Sequence, residues 1–188
     1  MPLDITFTLS DSDLNHFQVI ADKAKTAMES DENAANIEAA ARQLIIDAKS
    51  TELPSFIDER LTKLEVVIDM VSDEEWHLSD AERRRVLGAL VYFCDPEDLI
   101  PDHIPGLGYL DDAIYVELMI KELKSEIGSY EEFCQFRTAE ENRRREDGLD
   151  TRVQRDDWLA DKRAALHANM KNRRQRRMTE TGNWRLLW

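Results

Sequence analysis

The chain is short of cysteine, of histidine and of long apolar runs, and each shortage excludes something. Two cysteines in 188 residues make no disulfide framework. Cys94 and Cys134 both fall in apolar helical stretches, so both are expected as buried, reduced thiols. The apolar and acidic surroundings of Cys94, next to Asp95, would raise a thiol pKa rather than activate it. The four histidines, His16, His77, His103 and His167, stand in no serine or cysteine motif. There is also no Gly-x-Ser-x-Gly and no phosphate loop, so the chain reads as non-enzymatic and no cofactor is expected. The longest uncharged apolar run, Val86 to Cys94, is nine residues, against about 20 for a bilayer span. The first residues, MPLDITFTLSDSD, have neither a basic nor an apolar signal region, so the expected location is the cytoplasm.

What is present is charge. Hydrophobic residues make up 42% and charged residues 34%, the profile of a globular protein with a highly charged surface. The net charge of −14 is unevenly spread. Residues 1–136 hold 11 Lys+Arg against 30 Asp+Glu, a net of −19, whereas residues 137–188 hold 14 against 9, a net of +5. The acidic body repels polyanions and the tail attracts them.

Periodicity predicts an all-α, multi-helix protein. Leu3, Ile5, Phe7 and Leu9 alternate with polar residues, but one strand has no partner, and this segment is read as an extended arm. Ser10 can cap a helix over about 11–29, and Ser30-Asp31 opens a second to Lys49 with Ile37, Ala41, Leu44, Ile45 and Ala48 on one face. A third helix follows Pro54, with Phe56-Ile57, Leu61, Leu64, Val67-Ile68 and Val71 as its apolar stripe. Ser79-Asp-Ala-Glu82 is a capping box for a fourth helix running towards Cys94. A fifth is expected from Asp111 to Ile127, ended by Gly128, and Ser129-Tyr-Glu-Glu132 reads as a capping box for a sixth. After a break at Gly148, a last helix over about 151–177 carries the thin stripe Val153, Trp158-Leu159, Leu166 and Met170, so it is expected to stand partly off the body. The domain reading is a helical domain over residues 1–148 and a basic C-terminal helix and tail over 149–188.

The helices turn about Gly88–Asp112. Pro96, Pro101 and Pro105 bar a continuous helix, and Gly106 and Gly108 allow the chain to reverse. Pro96, Asp98-Leu-Ile-Pro101-Asp102, Ile104-Pro105, Gly108 and Asp111-Asp112 resemble the signature of the YkvA-like bacterial family, a domain of unknown function, over roughly residues 80–125. The resemblance implies a helical hairpin at about 80–127 and says little of activity. Glu97 and His103 depart from it by making the loop more polar.

Two constellations are candidates for function. Asp95, Glu97, Asp98, Asp102, His103, Asp111 and Asp112 gather oxygen and imidazole groups suited to a hard divalent cation, the basis of an alternative reading as a metal-dependent hydrolase. Carboxylates beside prolines and in a first helical turn also cap backbone amides, which accounts for the same residues, so no metal is assigned. The stronger candidate is the tail. Lys171, Arg173, Arg174, Arg176 and Arg177 place five cations in seven residues, more than dipole stabilisation of a helix end requires, and Trp184 and Trp188 follow at a polar terminus. The leading expectation is an interaction or regulatory protein that meets a macromolecular partner, protein or nucleic acid, through this tail. A nucleic-acid-binding accessory protein is the alternative.

Overall fold

The computed structural model describes residues 8, 10–12, 14, 15, 17–19, 31–94 and 108–180, all outside strand conformation. Its helices are α1 (Asp31–Lys49), α2 (Ser55–Ser72), α3 (Asp80–Leu90), α4 (Leu110–Glu122), α5 (Lys124–Glu146) and α6 (Arg155–Glu180), and a 3₁₀ turn, Val91–Cys94, extends α3. The fold is all-α, as the periodicity requires. Near the N-terminus, helical residues follow Ser10, whose carbonyl accepts from the Leu14 amide, and Phe17 is buried. The extended arm over Leu3–Leu9 falls, apart from Thr8, outside the described residues.

Helices α1 and α2 pack through the faces their spacing marks. Ala41 and Ala48 are fully buried in α1 beside Ile37 and Ile45, and small side chains let the neighbouring helix come close. Pro54 starts α2 by fixing its own φ at −57°, and its carbonyl accepts from Ile57 and Asp58. Leu61, Leu64, Val67 and Ile68 are buried to the last atom. Phe56 departs from the expected stripe: it is exposed, with the Arg60 guanidinium 4.3 Å above its ring.

Ser79 caps α3 through the full capping box, donating its hydroxyl to Glu82 Oε2 at 2.7 Å and accepting from the Glu82 amide. Tyr92, on the 3₁₀ turn, stacks on Tyr115 of α4 with centroids 4.0 Å apart and planes at 12°, while Phe93 meets the same ring edge-on. This stack ties the two arms of the hairpin together. Helix α4 is central, with Ala113, Tyr115, Val116 and Met119 fully buried. Cys94 is exposed and Cys134 half-buried, which corrects the expectation that both lie in the core. The fourth apolar run tightens into the 3₁₀ turn that ends at Cys94, so that residue leaves the inward face.

The expected break at Gly128 and the capping box at Ser129 are absent, because α5 runs straight through both. The joint falls at Leu123, whose amide still bonds back to Met119 and whose carbonyl accepts from Ile127, and its side chain is fully buried. Ser129 is itself completely buried, so it faces the core from inside a helix rather than capping one. At the other end α5 stops at a Schellman motif: Gly148 at φ +71° donates to Arg145, and Leu149 donates to Arg144. Helix α6 then lies along α5, burying Leu159, Leu166 and Met170. It begins at Arg155 rather than Thr151, and Val153 stays exposed in the preceding turn. The helix expected to stand partly away is fastened to the body.

Candidate interaction surface on the C-terminal helix

What fastens it is a second pattern in α6, alongside the apolar one. At 100° per residue, Arg163, His167, Lys171 and Arg174 fall on one side of the Leu159–Leu166–Met170 face, with Arg155 at its start. Each meets an oxygen on the body. The Arg155 guanidinium holds Glu75, with one bond of 2.9 Å, and also pairs with Glu141 of α5 at 2.6 Å. Arg163 donates to the Glu75 carbonyl at 2.9 Å. His167 places Nε2 2.9 Å from the Trp76 carbonyl and its ring 4.2 Å from the indole. Lys171 Nζ lies 3.7 Å from Glu82 Oε1, and Arg174 lies 3.3 Å from Glu126 Oε1.

The receiving surface is the loop between α2 and α3, residues 73–78, which the periodicity reading did not single out. Asp73 Oδ1 accepts from the Glu75 and Trp76 amides, folding the loop on itself. Trp76 is fully buried against Phe133, Tyr130 and His167. Arg137 of α5 pairs with both Asp73 and Glu75, at 2.8 and 2.9 Å, and the Tyr130 hydroxyl donates to Asp73. The hydrogen bond from Arg155, with that from Arg137, holds the Glu75 carboxyl below its ordinary range. Burial in turn pushes the Tyr130 hydroxyl upward, and Asp73 adds to the shift. One acidic, aromatic loop thus receives both C-terminal helices. The local signal that could have marked the loop is Asp73 three residues before Trp76, an acidic residue placed to accept from the loop's own amides.

A further charged group joins the hairpin to α5 and α6. Arg85 of α3 pairs with Glu122 at 3.2 Å and with the nearly inaccessible Glu126, which also receives Arg174. Burial lowers the Arg85 pKa, and the facing carboxylates oppose that shift.

The structure divides the tail residues. Lys171 and Arg174 turn to the body, whereas Arg173 and Arg176 are exposed on the helix. Arg177 continues α6, and its side chain lies outside the described residues, as do Trp184 and Trp188. Of the loop residues, Pro96, Asp98, Pro101, Asp102 and Pro105 also lie outside them. Gly108 is buried in the turn before α4, and Asp111 and Asp112 are buried in its first turn, where free amides and the helix dipole favour carboxylates. Among the described residues, no three His, Cys, Asp or Glu side chains gather as metal ligands do.

The hairpin that orders these elements is also where the chain is similar to known proteins. Residues 83–118, from the middle of α3 to the third turn of α4, match a family described as a protein of unknown function, DUF1232. This segment is a YkvA-like domain of unknown function, in agreement with the resemblance read from its prolines, glycines and aspartates. An "uncharacterized membrane protein YkvA" of Bacillus subtilis (strain 168) is 35% identical over 65 residues, which are 31% of this chain. The match spans 61% of that protein's length. No solved structure matches the chain. Among the described residues no helix is long and apolar enough to cross a membrane.

Proposed function

We propose that the protein is a non-enzymatic interaction module that presents the C-terminal turns of α6 to an acidic surface of a protein partner. The observation that carries this reading is a division of labour on one helix. Leu159, Leu166 and Met170 anchor α6, while Arg173 and Arg176 remain exposed beyond the anchor. A helix held in this way offers its cations with little conformational entropy left to lose on binding. An acidic protein is favoured over nucleic acid as the partner. Residues 1–136 carry −19 and oppose a long polyanion, and Lys171 and Arg174 are occupied by Glu82 and Glu126. The acidic loop is read as capping rather than as a hydrolase centre, because Asp111 and Asp112 already sit where helix amides need carboxylates.

The location proposed is the cytoplasm, supported by two unpaired cysteines and by the lack of a spanning helix among the described residues. The relative named as a membrane protein supports a second reading, attachment to a membrane without a span. Affinity purification of tagged wild type beside R173Q/R176Q/R177Q, with nuclease and salt controls, tests the proposal. Protein bands that resist nuclease and disappear with the triple variant support it. Recovery that nuclease abolishes points to nucleic acid, and cosedimentation with membranes at physiological salt points to the second reading.

A further inference from the structure

Among the described residues, Met170 is the last buried apolar side chain of α6, yet the helix continues to Glu180. This extension is held by ion pairs, Lys171 with Glu82 and Arg174 with Glu126. The lysine side chain is 56% exposed and Arg174 25% exposed, whereas the two carboxylates are 3% and 1% exposed. Taking a cation from a buried carboxylate ordinarily strands a charge, at considerable cost. Here each carboxylate keeps another partner, although Glu82 Oε1 and Glu126 Oε2 are buried with no hydrogen-bond partner among the described residues. Glu82 keeps the Ser79 hydroxyl and amide of the capping box on Oε2, and Glu126 keeps Arg85. Loss of the two cations therefore leaves each carboxylate one remaining anchor, on Glu82 Oε2 and on Glu126 Oε1.

We propose that residues 171–180 form a latch that regulates the contact surface on which the proposed function rests. Closed, Lys171 and Arg174 are neutralised on the body. Open, the same turns bring Lys171 and Arg174 out beside the exposed Arg173 and Arg176 and present them to an acidic protein segment. The partner shifts this equilibrium by competing with Glu82 and Glu126 for the same cations, so occupancy and opening rise together. Part-exposed ion pairs are weak and screened by salt, which keeps the closed state within reach of release.

Hydrogen exchange over residues 171–180 of the full chain, together with binding of a poly-L-glutamate peptide, tests the latch. Glu82→Gln keeps the capping box, since glutamine serves at that position, but removes the charge facing Lys171. It is expected to speed exchange over 171–180 by up to about fivefold, to tighten poly-glutamate binding by a similar factor, and to leave exchange in α1–α5 unchanged. Lys171→Gln/Arg174→Gln, which leaves every body residue intact, should also speed exchange but weaken binding; it serves as the test if Glu82→Gln fails to fold. Exchange over 171–180 that neither variant nor added salt alters overturns the latch alone, provided that poly-glutamate binding still requires Arg173 and Arg176. Faster exchange with no poly-glutamate binding by any variant overturns the contact reading, and the gating with it.

Discussion

Replacing Trp76 by alanine tests whether the loop between α2 and α3 is the joint on which the C-terminal helices depend. The indole is fully buried, with Phe133 at 5.0 Å, Tyr130 at 5.8 Å and His167 at 4.2 Å between ring centroids. Removing a buried aromatic of this size costs about 3–5 kcal/mol, which combines lost transfer energy with the cavity left behind. The surrounding rings belong to α5 and α6, which Arg137, Arg155 and Arg163 bind to the loop itself, so the site has little freedom to collapse. Against a total of about 5–15 kcal/mol, that loss is a large share of the stability. It corresponds to a fall in Tm of roughly 6–20 °C for a chain of this size. The phenylalanine variant separates packing from polarity. The indole Nε1 is buried without an acceptor among the described residues. Trp76→Phe therefore keeps a ring against Phe133 while removing an unsatisfied donor, and should cost no more than about half as much as alanine. Urea unfolding followed by far-UV circular dichroism measures both without relying on tryptophan emission. A Trp76→Ala variant within about 1 kcal/mol of wild type, or a Phe variant as damaging as Ala, would refute the reasoning.

Two glycines should respond in opposite directions. Gly128→Ala is expected to stabilise by about 0.5–1 kcal/mol in a thermal melt, since the residue lies inside α5 and an added Cβ meets nothing within 4 Å. Gly148→Ala should destabilise by about 1 kcal/mol, because φ +71° at the end of α5 strains any L side chain, and space around it gives no relief. Glu75→Gln tests the salt bridges through pH. The Glu75 carboxyl is held below its ordinary pKa of 4.5, so its contribution is complete above that value and is lost as pH falls through the lowered one. Wild type should therefore exceed the variant in stability at neutral pH, with the difference closing below about pH 4.5; a difference that widens in acid would contradict the assignment.

The sequence displayed the signals that act within one or two helical turns. Ser79 and Glu82 form the capping box their spacing promises, and the stripe of α2 is buried almost residue for residue. The same short pattern at Ser129–Glu132 misled, because Ser-x-x-Glu caps a helix only where the chain enters it from outside. There the chain is already helical and Ser129 faces the core, so tertiary packing overrides the local signal. The docking of α6 was illegible for another reason. Its partners Glu75, Trp76, Glu82 and Glu126 lie 48 to 91 residues earlier, and each pair looks locally like an unremarkable surface charge. The cations of the tail were conspicuous, but their division into inward and outward sets depends on the exact rotation of α6 against α5. The YkvA-like segment was legible because prolines and glycines state backbone constraints directly, without reference to distant partners.

The loop that receives Trp76 also sets an order of events during synthesis. Its hydrogen bond with His167 joins residues 91 apart, and that with Arg163 spans 88. At the ribosome's pace of about 5–20 residues per second, the indole waits roughly 5–20 s after emerging before its final partner exists. Until Tyr130 and Phe133 of α5 emerge, the nascent chain displays a bare aromatic beside Asp73 and Glu75, an apolar site ringed by negative charge. Such a site suits transient shelter by a chaperone and discourages self-association between neighbouring acidic nascent chains. Completion of α6 then closes the domain last, so a chain truncated before His167 would leave the ribosome with its central tryptophan covered by α5 alone.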